Sequence, residues 1–326
     1  MRRLKIIGTG EYLPEKVLTN FDLEKMVDTS DEWITTRTGI KERHIAAENQ
    51  ATSDLVIEAS KEAIKNAGIK PENIDAIIVA TVTPDTFYPS TGCWVQKGLG
   101  IRNIPAFDIS AACSGFLYGL EIVSGMINTG IAKTVLLAGA ETLSKVTNWE
   151  DRSTCVLFGD GAGVAIITAT NEERGIMSSV WGADGTLGEL LIQPAGGTRM
   201  PATHETVDRK LHTVHMQGNE VFKHAVTKMG DAAVEALRRA GVTGDDVSLF
   251  IPHQANIRII EATCRRAGIS MEKTVVTIDK YGNMSAATIP ISLHDMVKEG
   301  KIKDGDIILF AAFGGGFTWA ATVLKW

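Results

Sequence analysis

Cys113 is the residue in this chain best placed to act as a nucleophile. It stands in Ser110-Ala111-Ala112-Cys113-Ser114-Gly115, at the start of a stretch over 111–129 that reads as a helix. A thiol at a helix N-terminus faces unpaired N–H groups and the positive end of the helix dipole. Both favour the thiolate, which is the attacking form. An isolated cysteine is more often an inert buried thiol, but the small neighbours here leave room for a substrate. His253 follows an apolar strand pattern in Phe250-Ile251-Pro252-His253-Gln254-Ala255-Asn256, and none of the six other histidines has a comparable setting. Asn283 lies in Tyr281-Gly282-Asn283-Met284-Ser285-Ala286-Ala287, which alone would read as turn and cap chemistry. The run Ala312-Phe313-Gly314-Gly315-Gly316-Phe317 lets backbone N–H groups approach a ligand closely, as an oxyanion hole requires.

Other chemistries lack their signatures. The four cysteines, Cys93, Cys113, Cys155 and Cys264, form no C-x-x-C pair, so no zinc or redox motif is expected. His212 and His215 are spaced like metal ligands, yet no carboxylate or thiol joins them in a recognisable pattern, and no metal site is expected. No phosphate loop is present. Gly8-x-Gly10 lacks its third glycine, and Gly159-Asp160-Gly161-Ala162-Gly163 reads as a tight turn, so a dinucleotide enzyme is not expected. The formal net charge of -6 gives no global field to attract nucleic acid. The opening Arg2-Arg3-Leu4-Lys5 is followed by an apolar run too short for a signal peptide, and no apolar segment is long enough to span a bilayer. A soluble cytoplasmic protein without membrane insertion is the expectation.

The elements that must hold these residues repeat along the chain. Residues 60–81 and 233–254 both read as helix, glycine, polar turn and buried strand, with Gly68 and Gly241 in the place of helix C-terminal glycines. Ala106-Phe107-Asp108-Ile109 leads into the 111–129 helix, and Val276-Thr277-Ile278-Asp279 leads into one beginning near Ser285. The apolar strand at Thr134–Gly139 matches another at Asp306–Ala311. The three offsets lie between 171 and 173 residues, so two similar α/β halves are expected, 1–172 and 173–326. On the 171-residue offset, Asn283 falls beside the counterpart of Cys113. The 111–129 helix carries one charge, Glu121, and internal glycines, Gly115 and Gly119 among them. Such a helix belongs in the interior, packed closely against another helix.

Eight stretches share a wider pattern: IIGTGEYLP at the start, DEWITTRTGIKERH (31–44), DISAACSGF (108–116), NWEDRSTCVLFGDGAG (148–163), MQGNEVFK (216–223), IPHQANIRI (251–259), YGNMSAAT (281–288) and FGGGFTW (313–319). With them the chain resembles the β-ketoacyl-[acyl carrier protein] synthase III family, the initiating condensing enzymes of type II fatty acid synthesis in the thiolase-like superfamily. The resemblance runs the whole length. It implies a five-layered αβαβα sandwich, a homodimer, and a decarboxylative condensation of a short acyl-CoA with malonyl-acyl carrier protein through an acyl group on Cys113. No cofactor is implied, since acyl-CoA is a substrate. His253 and Asn283 are the implied hydrogen-bond donors to the malonyl thioester, and the N–H groups of Cys113 and Gly315 the implied oxyanion hole. Elongating synthases carry a second histidine where Asn283 stands, and thiolases a second cysteine near the last glycine-rich loop.

The resemblance further implies a CoA site. Trp33 and Arg152 match the positions that sandwich the adenine, Arg37 one near the phosphates, and Gly218, Phe222 and Asn256 the pantetheine tunnel. Lys223, Gln254, Arg258, Arg265 and Arg266 match the basic region that docks the acidic carrier protein. Tyr88 matches a position reaching the partner subunit's acyl pocket. Two other readings remain at this level: a related enzyme of secondary metabolism with other acyl donors or acceptors, and a silent scaffold subunit.

Overall fold

A computed structural model describes residues 2–326. Nine strands form one ladder: β1 (Arg2–Tyr12), β2 (Ala76–Ala80), β3 (Ala106–Ile109), β4 (Thr134–Thr142), β5 (Asp160–Ala169), β6 (Gly175–Ala183), β7 (Leu249–Pro252), β8 (Ile307–Gly314) and β9 (Thr318–Lys325). Their order is β3-β2-β4-β5-β1-β6-β9-β8-β7. The junction between β1 and β6 consists of two residue pairs, Arg2 with Ile176 and Arg3 with Gly175. On one side of it lie five strands from residues before 172, and on the other four strands from residues after 173. The pairings match on the two sides. β2 runs parallel to β4, which is antiparallel to β5, and β7 runs parallel to β8, which is antiparallel to β9.

Helices fill three layers around these sheets. Helix α2 (Thr52–Ala67) covers β1, β4 and β5 from outside, and α4 (Gly218–Ala240) covers β6, β8 and β9, with α5 (Ile257–Ala267) packed on it. Between the sheets lie α3 (Gly115–Asn128) and α6 (Thr288–Lys298), which touch strands from both groups. This is the five-layered αβαβα arrangement. It needs strands apolar on both faces, and β2 has every residue buried. Gly68 and Gly241 end α2 and α4 in the left-handed conformation, with φ of 64° and 72°, as the repeat predicts.

The central helix differs from expectation in two ways. It opens with a 3-10 turn, Ala112–Ser114, before α3 begins at Gly115. Its glycines serve helix–sheet packing more than helix–helix packing. A Cβ on Gly119 would lie 2.4 Å from Leu137 Cδ1, and one on Gly115 would lie 3.0 Å from Ala80 Cβ. Glu121, its one charge, is neutralised by Arg2 through a 2.8 Å hydrogen bond.

The stretch Val276–Asp279 is not a strand like β3. Only Thr274 bridges to Phe250, and residues Ile278–Tyr281 turn helical. The Gln254 side chain takes the place of the missing ladder. Its carbonyl accepts the N–H groups of Thr277 and Ile278, and its –NH2 donates to Pro252 O and Val275 O. The repeat also falls on a different offset here. The 3-10 turns Ala112–Ser114 and Ser285–Ala287, and the helices that follow them, are 173 residues apart. Asn283 therefore corresponds to Ser110, not to Ala112.

Candidate active site

Cys113 sits where β3 hands over to α3, at the centre of the sandwich. Ala112 before it adopts φ 45°, a left-handed conformation unusual for a residue with a Cβ. That turn presses the Cys113 backbone against the end of β8. A Cβ on Gly314 would stand 2.5 Å from Cys113 N, so only glycine permits the approach. Thr318 on β9 ties the other side of the turn, donating its hydroxyl to Ala111 O at 2.8 Å.

Two cavities meet at this cysteine. One, of about 120 Å³, is lined by Cys113, His253 and Asn283, together with Gly218, Phe222, Asn256 and Gly314. The other, of about 390 Å³, is walled by Cys113, Val82, Thr83, Leu143, Phe158 and Gly315, among others. The thiol thus lies where two largely apolar cavities meet, the smaller of which also carries the imidazole and the carboxamide.

His253 is carried by the end of β7, where its N–H donates to Ala311 O at 2.8 Å. It is 1% exposed. Burial pushes its pKa down to about 3, so the imidazole is neutral at physiological pH. Its Nδ1 lies 2.7 Å from Thr288 Oγ1. Asn283 is pinned through its backbone, with its N–H on Leu157 O and its carbonyl accepting from Gly159 N–H. Its Oδ1 accepts the Ser285 N–H at 2.9 Å. The acceptor end of the carboxamide is thereby engaged, leaving the –NH2 as the end available to a ligand.

The protonation state of Cys113 departs from the sequence expectation. Burial pushes its pKa up to about 12. The Ser285 hydroxyl pulls it down, and the nearby Glu141 carboxyl pushes it further up. Desolvation is the largest of these influences. The resting group is a thiol. Glu141 itself is wholly buried in β4, with burial raising its pKa to about 7. It accepts the Thr81 hydroxyl, the N–H groups of Val82 and Thr83 and, at 2.6 Å, the Thr83 hydroxyl. Sequence reasoning missed Glu141, although a lone carboxylate inside the apolar strand TVLLAGAET was a visible signal. It also missed Thr288, which looks like any residue opening a helix.

Trp33 lies in α1 (Asp31–Thr38), capped by Ser30. The Arg152 guanidinium stands 5.2 Å from the centroid of its ring, and that of Arg37 5.7 Å. A base between indole and guanidinium would need planes roughly 7 Å apart, twice a van der Waals contact, which is wider than the present gap between Trp33 and Arg152. Arg152 is exposed and held by Asp28 alone, through a 2.7 Å hydrogen bond to its backbone O and an ion pair with its Oδ2 at 3.6 Å. Asn256 caps α5 and donates to Arg37 O at 2.9 Å, tying α5 to the end of α1.

Of the expected docking residues, Lys223, Arg258, Arg265 and Arg266 are exposed. Arg258 lies over the Phe222 ring at 5.2 Å, Lys223 pairs with Glu220 and Arg266 with Asp231. Gln254 is a correction. It is 1% exposed, and its whole amide is engaged with backbone, so it cannot meet a docking protein and instead shapes the strand end that carries His253. Tyr88 is 87% exposed and lines neither cavity. His212 bonds Thr206 and His215 lies in a short ladder with Ile192. Among the described residues no cluster of His, Cys, Asp or Glu could hold a metal ion, and no helix is long and apolar enough to cross a membrane.

A thiolase-like sandwich that gathers a thiol, a neutral imidazole and a carboxamide around one cavity has the architecture of a carbon–carbon condensing enzyme. Known proteins narrow the class. The family model described as 3-oxoacyl-[acyl-carrier-protein (ACP)] synthase III matches residues 107–185, and that of its C-terminal region matches residues 237–326. A beta-ketoacyl-[acyl-carrier-protein] synthase III from Caldanaerobacter subterraneus subsp. tengcongensis is 60% identical over 321 residues, spanning 98% of this chain and 97% of its own. One from Natranaerobius thermophilus is 54% identical, with both chains fully covered. The crystal structure of 3-oxoacyl-[acyl-carrier-protein] synthase III from Aquifex aeolicus VF5 superposes with a TM-score of 0.92 at 52% identity, covering 99% of this chain and 100% of its own. The chain belongs to the β-ketoacyl-[acyl-carrier-protein] synthase III family, the condensing acyltransferases that initiate fatty acid synthesis.

Proposed function

We propose that the site runs a two-step decarboxylative condensation on Cys113. In the first step Cys113 Sγ attacks the thioester carbonyl of a short acyl-CoA, acetyl-CoA foremost. The bond from acyl carbon to CoA sulfur breaks, an acyl–Cys113 bond forms, and the thiol proton ends on the CoA sulfur. In the second step malonyl-acyl carrier protein enters and loses CO2, leaving an enolate. The Nε2–H of His253 and the –NH2 of Asn283 donate to its oxygen, each worth about 3 kcal/mol if well aimed. The enolate carbon attacks the acyl carbon, whose oxygen charge falls to the N–H groups of Cys113 and Gly315. Cys113 leaves as thiolate and regains a proton, and a β-ketoacyl-carrier protein departs.

The observation that carries this reading is the orientation of Asn283. With Oδ1 held by the Ser285 N–H, its donor end is the one left for the cavity it shares with Cys113 and the neutral His253. Trp33, Arg37 and Arg152 hold the nucleotide end of CoA, and Gly218, Phe222 and Asn256 its pantetheine arm. Arg258, Arg265, Arg266 and Lys223 receive the acidic carrier protein. A homodimer covers the exposed Phe87 and Tyr88, which are 80% and 87% exposed in the single chain. The enzyme works without a cofactor, in the cytoplasm. It descends from a duplication with halves 1–172 and 173–326, a reading supported by the matched strand pairings on either side of the β1–β6 junction.

Intact-protein mass spectrometry after mixing with a panel of acyl-CoAs tests the chemistry. One acyl group should appear on Cys113 and vanish when malonyl-acyl carrier protein is added. If no acyl-CoA labels Cys113, the reading fails.

A further inference from the structure

Neutral His253 can donate to a thioester oxygen only if its Nε2 carries the proton. Which nitrogen carries it is decided at Nδ1. The Thr288 hydroxyl, 2.7 Å away, is the one hydrogen-bond partner of the ring among the described residues. That hydroxyl has a single proton and two neighbours, His253 Nδ1 and Ser285 O, the latter at 3.0 Å. If the proton points to Ser285 O, then Nδ1 must carry a hydrogen and donate to Oγ1. Nε2 would then face the cavity as an acceptor, useless toward a developing oxyanion. If the proton points to Nδ1, then Nε2–H faces the cavity as a donor.

Three observations favour the second arrangement. Ser285 O already accepts the backbone N–H of Thr288, so it loses no needed partner when the hydroxyl turns away. The 2.7 Å separation suits an O–H donor, whereas N–H donors sit nearer 2.9–3.0 Å. The 3.0 Å separation to Ser285 O is long for an O–H donor. Thr288 is 1% exposed and opens α6 directly after the 3-10 turn that holds Asn283 Oδ1.

We propose that Thr288 is a positioning residue for the condensation step: its hydroxyl donates to His253 Nδ1 and so fixes the imidazole with Nε2–H aimed into the cavity. One short helix start would then set both donors, since Ser285 N–H orients Asn283 and Thr288 Oγ–H orients His253. This rests on the reading that His253 donates to the malonyl thioester, and the test separates the two.

The experiment uses full-length protein with 15N-labelled histidine, with His253→Gln to assign the signal. In the wild type His253 should show a protonated Nε2 and a hydrogen-bonded, unprotonated Nδ1. Thr288→Val, which keeps shape but not the hydroxyl, should weaken the Nδ1 hydrogen bond and mix the tautomers, and Thr288→Ser should restore the wild-type signal. In kinetics, Thr288→Val should lower condensation turnover about tenfold at unchanged KM for malonyl-carrier protein, with acylation of Cys113 intact and Ser rescuing the loss. A wild-type signal with Nδ1 protonated overturns the proposal without any variant. So does a Val variant with wild-type tautomer and turnover, or one that loses acylation and condensation equally. If the tautomer behaves as expected but the condensation rate of the Val variant does not fall, the donor role of His253 fails instead.

Discussion

Replacing Gly314 by alanine should disable the nucleophile without touching any reacting group. The added methyl would stand 2.5 Å from Cys113 N and 3.1 Å from both Ala112 Cβ and Cys113 Cβ. Contacts of this kind relax at roughly 3.5 Å, so the parts must separate by about 1 Å. β8 cannot yield easily, since Phe313 and Gly314 are paired with Trp319 and Thr318 on β9. The Cys113 turn is the softer partner, already strained at Ala112 and tethered through Ala111 to Thr318. Overpacking of this size costs roughly 1–3 kcal/mol of stability, leaving a folded protein to assay. A shift of about 1 Å between nucleophile and its oxyanion donors costs on the order of a hundredfold in rate. Rapid-mixing mass spectrometry of the first turnover with acyl-CoA should therefore show Cys113 acylation slowed by about two orders of magnitude. Gly125→Ala is the control. Its Cβ would meet nothing within 4 Å, and it lies in the same helix α3. It should raise stability by up to about 1 kcal/mol and leave acylation alone. Acylation within threefold of wild type in Gly314→Ala would refute the claim that this close approach sets the position of the thiol.

Two further outcomes follow from buried and exposed charge. Glu141 has its pKa raised from an ordinary 4.5 to about 7, so the folded state binds its proton more tightly. Its contribution is fully present below pH 4.5 and is lost as pH rises through 7, by about 3 kcal/mol. Denaturant titrations from pH 4.5 to 7 should show that decline in wild type and not in Glu141→Gln, and parallel pH slopes in the two proteins would sink the assignment. Arg258→Glu should raise the apparent KM for malonyl-carrier protein several-fold at low salt, less at high salt, while sparing the acyl-CoA step; salt-independent, unchanged carrier kinetics would remove Arg258 from the docking surface.

What could be read in the sequence divides along a physical line. Cys113, His253 and Asn283 were legible because each stands at the end of a buried element, where backbone pattern and side-chain type coincide. Their states were not. The thiolate expectation came from one local term, the helix N-terminus, whereas the folded site is governed by desolvation, a property of the whole sandwich. Gln254 failed for the same reason. A glutamine beside His253 looks exposed until burial shows its amide standing in for a missing strand. The 171-residue offset failed because two extra residues separate Asp279 from the second turn, compared with Asp108 and the first.

The corrected offset explains why one backbone device yields two different chemical groups. Ala112 and Ser285, 173 residues apart, both take left-handed conformations, φ 45° and 47°, immediately before a central helix. Such a residue costs on the order of 1–3 kcal/mol without glycine, so the conformation persists because surrounding contacts enforce it. In the first turn the residue that follows is Cys113, and the kink delivers its sulfur to the cavity. In the second the residue that follows is Ala286, which presents no reactive group. There the kink instead frees the Ser285 N–H to hold Asn283 and brings Thr288 within 2.7 Å of His253. The same fold of chain therefore presents the Cys113 thiol from one side and holds the Asn283 carboxamide and the His253 imidazole from the other.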